Sequence, residues 1–370
     1  MKKVNRLLLY IVVFTGSLPL AILLLIFLTP VPPTGEMEHA RKTISIAGRG
    51  RADTYSNKLY AEAQIYYDSA MGNWQNENNR FIYFRNFEKV ALFAELSTKK
   101  ASQAAENAVS NSSNLKMKLI QKIDSLNNLI SGVNKLFYTY PLTSEIRERI
   151  SRGKLFLKEA EIAYQEGQYL EANIKISDSE LLLMEGYSYV NENLKEYFQS
   201  YPVWKSWIDK TISDSKKNRD YSIIVDKFSR KCFIYLNGIK QYEFEADLGL
   251  NWVGDKKVRG DMATPEGMYK ITKKIEGSNT RYYKSLLLNY PNDEDKMKFQ
   301  NEVISGSLLP NAIIGSLIEI HGSGGIGIDW TQGCVALTNN EMDVVFKIAK
   351  VGTPVTIVGS MTDLQYVVTK

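Results

Sequence analysis

Near residue 220 the chain changes its period. From about Gly35 to Ser213, apolar residues recur at helical spacing among Ala, Glu, Lys, Leu and Gln. Only Pro141 and Pro202 fall between Pro33 and Pro265. From Tyr221 onward, short runs of β-branched and aromatic residues alternate with turn residues. A chain of 370 residues with such a break reads as an α+β multidomain protein. The expected division is 1–34 as tip, membrane segment and Pro-rich linker, and 35–213 as an all-α helical-repeat or bundle domain. A polar linker follows at 214–220, then a mainly-β domain, sandwich or barrel, at 221–360, and a tail at 361–370.

Leu7 to Leu28 are apolar apart from Thr15, Gly16, Ser17 and Pro19, long enough to span a bilayer as a helix. Lys2, Lys3 and Arg6 precede the run, and Glu36 and Glu38 follow it. This bias places the N-terminus in the cytoplasm and the bulk of the chain on the outer side of the inner membrane. Thr29-Pro30-Val31-Pro32-Pro33 is a poor cleavage site and a stiff linker, which favours an uncleaved transmembrane anchor. The net charge of +5 owes three units to this N-terminus, so no nucleic-acid footprint remains.

Within the helical region, Glu62-Ala63-Gln64-Ile65-Tyr66-Tyr67 echoes Glu159-Ala160-Glu161-Ile162-Ala163-Tyr164. The pairing loosely resembles tetratricopeptide hairpins; a plain bundle or long hairpin fits equally. Either could carry a protein partner. In the β region, strands are expected at 221–225, 232–236, 240–245, 268–272, 285–289, 317–320 and 354–358. One helix is capped by Thr338 or Asn339, has Glu341 in its first turn, and runs to Lys350.

The chain has two cysteines and two histidines, and one of each meets in Ile320-His321-Gly322-Ser323 and Trp330-Thr331-Gln332-Gly333-Cys334. A thiol needs a base to act as a nucleophile near neutral pH, and imidazole is the usual one. Cys232 sits in a strand-like run and reads as a buried, inert thiol. Gly333 before Cys334 allows a sharp turn that can aim backbone N–H groups at an oxyanion. A metal site lacks ligands, because His39 lies just past the membrane segment. Gly322-Ser323-Gly324-Gly325-Ile326-Gly327 matches G-x-G-x-x-G, but no helix follows to receive a pyrophosphate.

Four segments stand in one order. They are Gly260-Asp261 with Thr264-Pro265-Glu266-Gly267-Met268-Tyr269, then Ile320-His321-Gly322, then Thr331-Gln332-Gly333-Cys334-Val335-Ala336-Leu337, then Gly352-Thr353-Pro354-Val355-Thr356-Ile357. Together they resemble the L,D-transpeptidase catalytic domain (YkuD) family over about Tyr221 to Gly359. Cys334-Val335-Ala336-Leu337-Thr338 is similar to the ErfK/YafK-type branch. The resemblance implies Cys334 as nucleophile, His321 as base, and a carbonyl of Gly322 or Ser323 orienting the imidazole. It also implies Gly333 and Cys334 N–H groups at the oxyanion, with no metal and no cofactor. Trp330, Thr331 and Gln332 become candidates for substrate contact, the substrate being a peptidoglycan stem peptide. Many members carry Arg where this chain has Ala336, and some carry His where it has Gln332. The acyl-enzyme would be resolved by an amine or by water, as in branch members that release proteins from diaminopimelate. A reading of another class is a non-catalytic wall-binding scaffold.

Overall fold

The computed structural model describes Pro19, residues 22–137 and residues 140–367, with only the backbone described at 132–137 and 367. The chain forms two compact units. One holds residues up to Lys122 with Ile162–Asn173, and the other holds Ile123–Glu161 with Ile174 onward. The expected membrane segment lies mostly outside the described residues. Of it, Pro19 and Ile22–Leu28 are described; all eight are exposed, and Pro19 and 22–27 are helical. Among the described residues, no helix is long and apolar enough to cross a membrane.

The helices are α1 (Thr34–Arg49), α2 (Asn57–Asn78), α3 (Glu88–Phe137), α4 (Ser144–Gln165), α5 (Tyr169–Tyr197) and α6 (Tyr201–Asn218). In the first unit, Met37 and Ala40 of α1, Ala70 of α2 and Val90 and Ala94 of α3 pack together with Phe87. A second contact is almost all alanine: Ala47, Ala52, Ala104 and Ala108. Such small side chains let helix backbones approach closely, and Ser97 Oγ on α3 donates to the Ala63 carbonyl of α2 at 2.8 Å. The tetratricopeptide likeness is corrected here. At 50 residues, α3 alone outruns a repeat of about 34, so the architecture is one of long hairpins. In the second unit, α4 and α5 cross where Gly153 faces Leu183 and Gly186 faces Ile150.

The β domain is one eight-stranded sheet: β1 (Tyr221–Asp226), β2 (Lys231–Leu236), β3 (Ile239–Glu245), β4 (Gly267–Glu276), β5 (Lys284–Leu288), β6 (Glu319–His321), β7 (Val335–Ala336) and β8 (Pro354–Val358). The strand order is β3-β2-β1-β8-β4-β5-β6-β7. Pairs β1/β8 and β6/β7 are parallel and the rest antiparallel. Chain leaving β3 bridges to the opposite edge through Asp247↔Ala336 and Gly249↔Thr331. The expected sandwich or barrel is therefore one curled sheet, almost closed on itself. Helix α7 (Asp293–Ile304) went unexpected, although Asn292 and Asp295 form its capping box. Helix α8 (Asn339–Ile348) starts at the expected Thr338–Glu341 capping box and stops two residues early.

The polar stretch expected as a linker is helical as far as Asn218, where Arg219 takes a left-handed φ of 54°. Ser215 within it is buried, as is Thr211 one turn earlier, whose Oγ1 meets Thr356 Oγ1 of β8 at 2.6 Å. A buried charge cluster joins α5 and α6 to the sheet. Glu266 accepts hydrogen bonds from Tyr197 Oη (2.6 Å), Trp204 Nε1 (2.9 Å) and Lys227 Nζ (2.7 Å). Lys227, wholly buried, also donates to the carbonyls of Gly254 and Thr264, so each of its three N–H groups has an acceptor. Tyr197, Phe198, Trp204, Phe228 and Trp252 surround the cluster in edge-to-face contacts.

Candidate active site

Strand β6 lies between β5 and β7, pairing His321 with Ser285 on one side and Ala336 on the other. Side chains alternate along a strand, so Glu319, His321 and Ala336 share a face. Cys334 precedes β7 by one residue. Its sulfur is partly exposed and points an S–H at the Leu317 carbonyl, 3.8 Å away.

The turn carrying Cys334 is braced from within. Thr331 Oγ1 donates to the Cys334 carbonyl (2.7 Å) and accepts the Gly333 N–H (3.2 Å). Gly333 has φ +124°, and a Cβ there would lie 2.5 Å from the Ala263 carbonyl. Both the backbone angle and the close approach require glycine.

His321 is buried, and its Nδ1 lies 2.6 Å from the Gly322 carbonyl. A carbonyl only accepts, so Nδ1 carries the proton and Nε2 keeps its lone pair. Nε2 is buried and has no hydrogen-bond partner. Tyr282 stacks flat on the imidazole at 3.6 Å, with an interplanar angle of 7°, and Trp330 meets it edge-on at 5.9 Å. Burial lowers the His321 pKa below its ordinary 6.5, while the Gly322 carbonyl and the Asp247 charge pull it upward. Burial also pushes the Cys334 thiol up to about 11, against the Glu319 N–H and the Lys256 charge, which favour thiolate. Both groups thus rest uncharged at neutral pH.

Asp247 is the residue that sequence reasoning missed. Its buried carboxylate accepts the N–H groups of Gly325 (2.9 Å), Ile326 (3.0 Å) and Gly327 (3.1 Å), and the Trp330 indole N–H (3.1 Å). The glycine motif is a backbone nest filled by the protein's own anion. Asp329 adds a second carboxylate, held by Arg230 at 2.7 Å and accepting the Leu248 N–H at 3.0 Å. The two carboxylates stand 82 positions apart and gave no local signal, and the glycines alone suggested only a tight loop.

The other expected residues lie around this frame. The Gly322 N–H donates to the Lys284 carbonyl at 2.9 Å, and the Ser323 N–H to Asn339 Oδ1 at 2.8 Å. With the Gly333 N–H on Thr331, these three backbone donors have internal partners. Thr331 is buried as the brace, Trp330 is half-buried against Asp247 and His321, and Gln332 is exposed. Ala336 is fully buried; a Cβ on Gly324 would come within 2.8 Å of the Ala336 Cβ. The glycine loop occupies the room an arginine would need at 336.

The Gly260–Gly267 motif builds the wall behind the turn. Asp261 accepts the N–H groups of Lys257, Val258 and Ala263 and pairs with Lys256 Nζ at 2.6 Å. Thr264 Oγ1 accepts the Gly249 N–H at 2.9 Å. Cys232 is free and buried in β2, its thiol pushed up to about 12 by burial. Among the described residues, no group of three or more His, Cys, Asp and Glu is placed to hold a metal ion.

The family model of the L,D-transpeptidase catalytic domain, YkuD, matches residues 220–357. The putative L,D-transpeptidase YafK of Escherichia coli K12 is 28% identical over 95 residues, which are 26% of this chain and 31% of that protein. The chain thus matches less than a third of that relative's length. Similar solved structures include Bdellovibrio bacteriovorus Bd1075 (26% identity, TM-score 0.29, 38% of this chain and 48% of that one). An L,D-transpeptidase from Mycobacterium smegmatis is 12% identical with TM-score 0.24, over 38% of this chain and 58% of that one. The curled β domain that carries His321 and Cys334 is thus the part of the chain that matches the L,D-transpeptidase catalytic domain, YkuD.

Proposed function

We propose that this chain is a membrane-anchored cysteine acyltransferase acting on peptidoglycan stem peptides, with Cys334 as nucleophile and His321 as its base. The observation that carries the reading is the buried imidazole whose Nδ1–H is tied to the Gly322 carbonyl, leaving Nε2 unpartnered beside the strand that follows Cys334. Nε2 takes the thiol proton as Sγ attacks a stem-peptide carbonyl, and the imidazolium then protonates the departing amine. A thioester remains. An incoming amine, deprotonated by Nε2, attacks it, forms the new amide and returns the thiol.

Resolution of the thioester by water is the second reading. It is favoured by Ala336, because the packed glycine loop leaves no side-chain cation at that position to hold an acceptor carboxylate. Anchoring rests on the basic N-terminus, the apolar run and the exposed apolar helix at 22–27. The catalytic domain then lies outside the cytoplasmic membrane. The test is mass spectrometry of tetrapeptide and pentapeptide muropeptides treated with the full chain. Cross-linked or exchanged products support transfer, and shortened stems support hydrolysis. Unchanged peptides from reduced, folded protein would sink both readings and favour a wall-binding scaffold.

A further inference from the structure

The turn between α2 and α3 presents four consecutive large apolar residues to solvent. Phe81 and Phe84 are 65% and 69% exposed, and Ile82 and Tyr83 more than a third exposed. The group is built rather than loose. Ile82–Phe84 form a 3₁₀ turn, and the Phe81 ring lies 5.8 Å from those of Tyr83 and Phe84. Its polar groups are engaged beneath: Arg85 donates to the carbonyls of Arg80 and Asn78, Arg80 pairs with Glu77 at 2.9 Å, and the Asn86 N–H reaches Glu77 Oε2. A rigid apolar knob with two cationic side chains at its base needs a cover.

Its place in the unit says what covers it. Met37 and Ala40 pack on Phe87 and Val90, so α1 begins at the same end of the unit as this turn. Pro30–Glu36 and Arg85–Glu88 line one shallow cleft. The exposed apolar residues Ile22–Leu28 end five residues before Pro33, a span of at most roughly 17 Å fully extended. The knob and the apolar segment therefore leave the unit on one side and within reach of one surface.

We infer that Phe81–Phe84 is an interfacial foot that seats the first unit on the membrane from which residues 22–28 emerge. The inference rests on the anchor proposed above. Aromatic rings settle at the headgroup level, and Arg80, whose side chain is 52% exposed, is placed to meet a lipid phosphate there.

The test places a nitroxide, in separate full-length variants with Cys232→Ala and Cys334→Ala, at Tyr83→Cys, Leu25→Cys and Asn107→Cys. Each is reconstituted in vesicles containing anionic lipid, with thermal melting as the check on folding. Asn107, exposed on α3, lies about 30 Å along the helix from its start. The inference expects relaxation by oxygen to exceed relaxation by aqueous nickel chelate several-fold at 25 and at 83, and not at 107. Immersion at 25 with an aqueous signal at 83 overturns the foot and leaves the anchor standing. Aqueous signals at both positions overturn both. Amide exchange of unlabelled full-length protein gives a second readout: residues 80–87 should slow in nanodiscs. Slowing only on addition of muropeptides would overturn the inference in favour of a glycan contact.

Discussion

Asp247 and Ala336 exchange both backbone hydrogen bonds, at 2.9 and 2.8 Å, while the Asp247 carboxylate holds Gly325, Ile326, Gly327 and Trp330. One residue thereby ties the loop over His321 to the strand after Cys334. Asp247→Ala strands four donors, each worth about 1.5–3 kcal/mol with a charged acceptor when buried. Relaxation and water entry reduce the sum, and we expect a loss of about 3 kcal/mol in chemical denaturation. Acylation by a carbapenem should fall about 100-fold, since a misplacement near 1 Å costs that much. Native-like acylation in Asp247→Ala would remove the loop from the chemistry.

Cys334→Ala should abolish the covalent carbapenem adduct seen by intact-protein mass spectrometry. His321→Gln should slow adduct formation by about 10²–10⁴, the usual worth of a positioned base. Cys232→Ala should leave the adduct in place. Equal labelling of native protein and Cys334→Ala would defeat the nucleophile assignment.

The resting pair is uncharged, with the thiol pushed up to about 11 and the imidazole held below 6.5. Alkylation of Cys334 by iodoacetamide should therefore rise about tenfold per pH unit from neutrality toward 11. In turnover, the acid limb should lie below 6.5, because a lowered pKa keeps the base form available to lower pH. An alkylation rate that is flat across neutral pH would show a thiolate–imidazolium pair instead.

The Lys227–Glu266 pair is wholly buried. Glu266→Gln leaves an uncompensated ammonium and should cost about 3–5 kcal/mol in unfolding free energy. The double variant Lys227→Met, Glu266→Gln should recover part of this loss by calorimetry. A single variant within about 1 kcal/mol of native stability would mean that water reaches Lys227.

Ala336→Arg should lower stability without raising transfer to an amine, because the added side chain meets the Gly324 backbone. The measurement is a melting curve together with the ratio of exchanged to hydrolysed muropeptides. Higher exchange in a stable variant would show that the glycine loop yields.

Much of the β domain was legible because strands and turns are local. Alternating runs gave all but the two-residue β7, and Thr338 with Glu341 marked α8. His321 and Cys334 stood out because their residue types are rare and their spacing short, whereas the orienting carbonyl came only from the family resemblance, as Gly322 or Ser323. Asp247 was not, since it acts on residues about eighty positions away. The helicity of Ser213–Asn218 was hidden because burial of Thr211 against β8 and of Ser215 beside Gly238 is a tertiary fact that polar composition conceals. The length of α3 escaped because alanine packing carries little hydrophobic contrast.

Helix α6 passes into β1 across only Arg219 and Asp220, with Trp204 against Gly359 and Thr211 against Thr356. The matched family segment, 220–357, is thus smaller than the body that folds. A fragment cut at residue 220 would lay bare the underside of β1 and β8 and strand Lys227 and Glu266 in water. A fragment that keeps this underside covered begins before Tyr197.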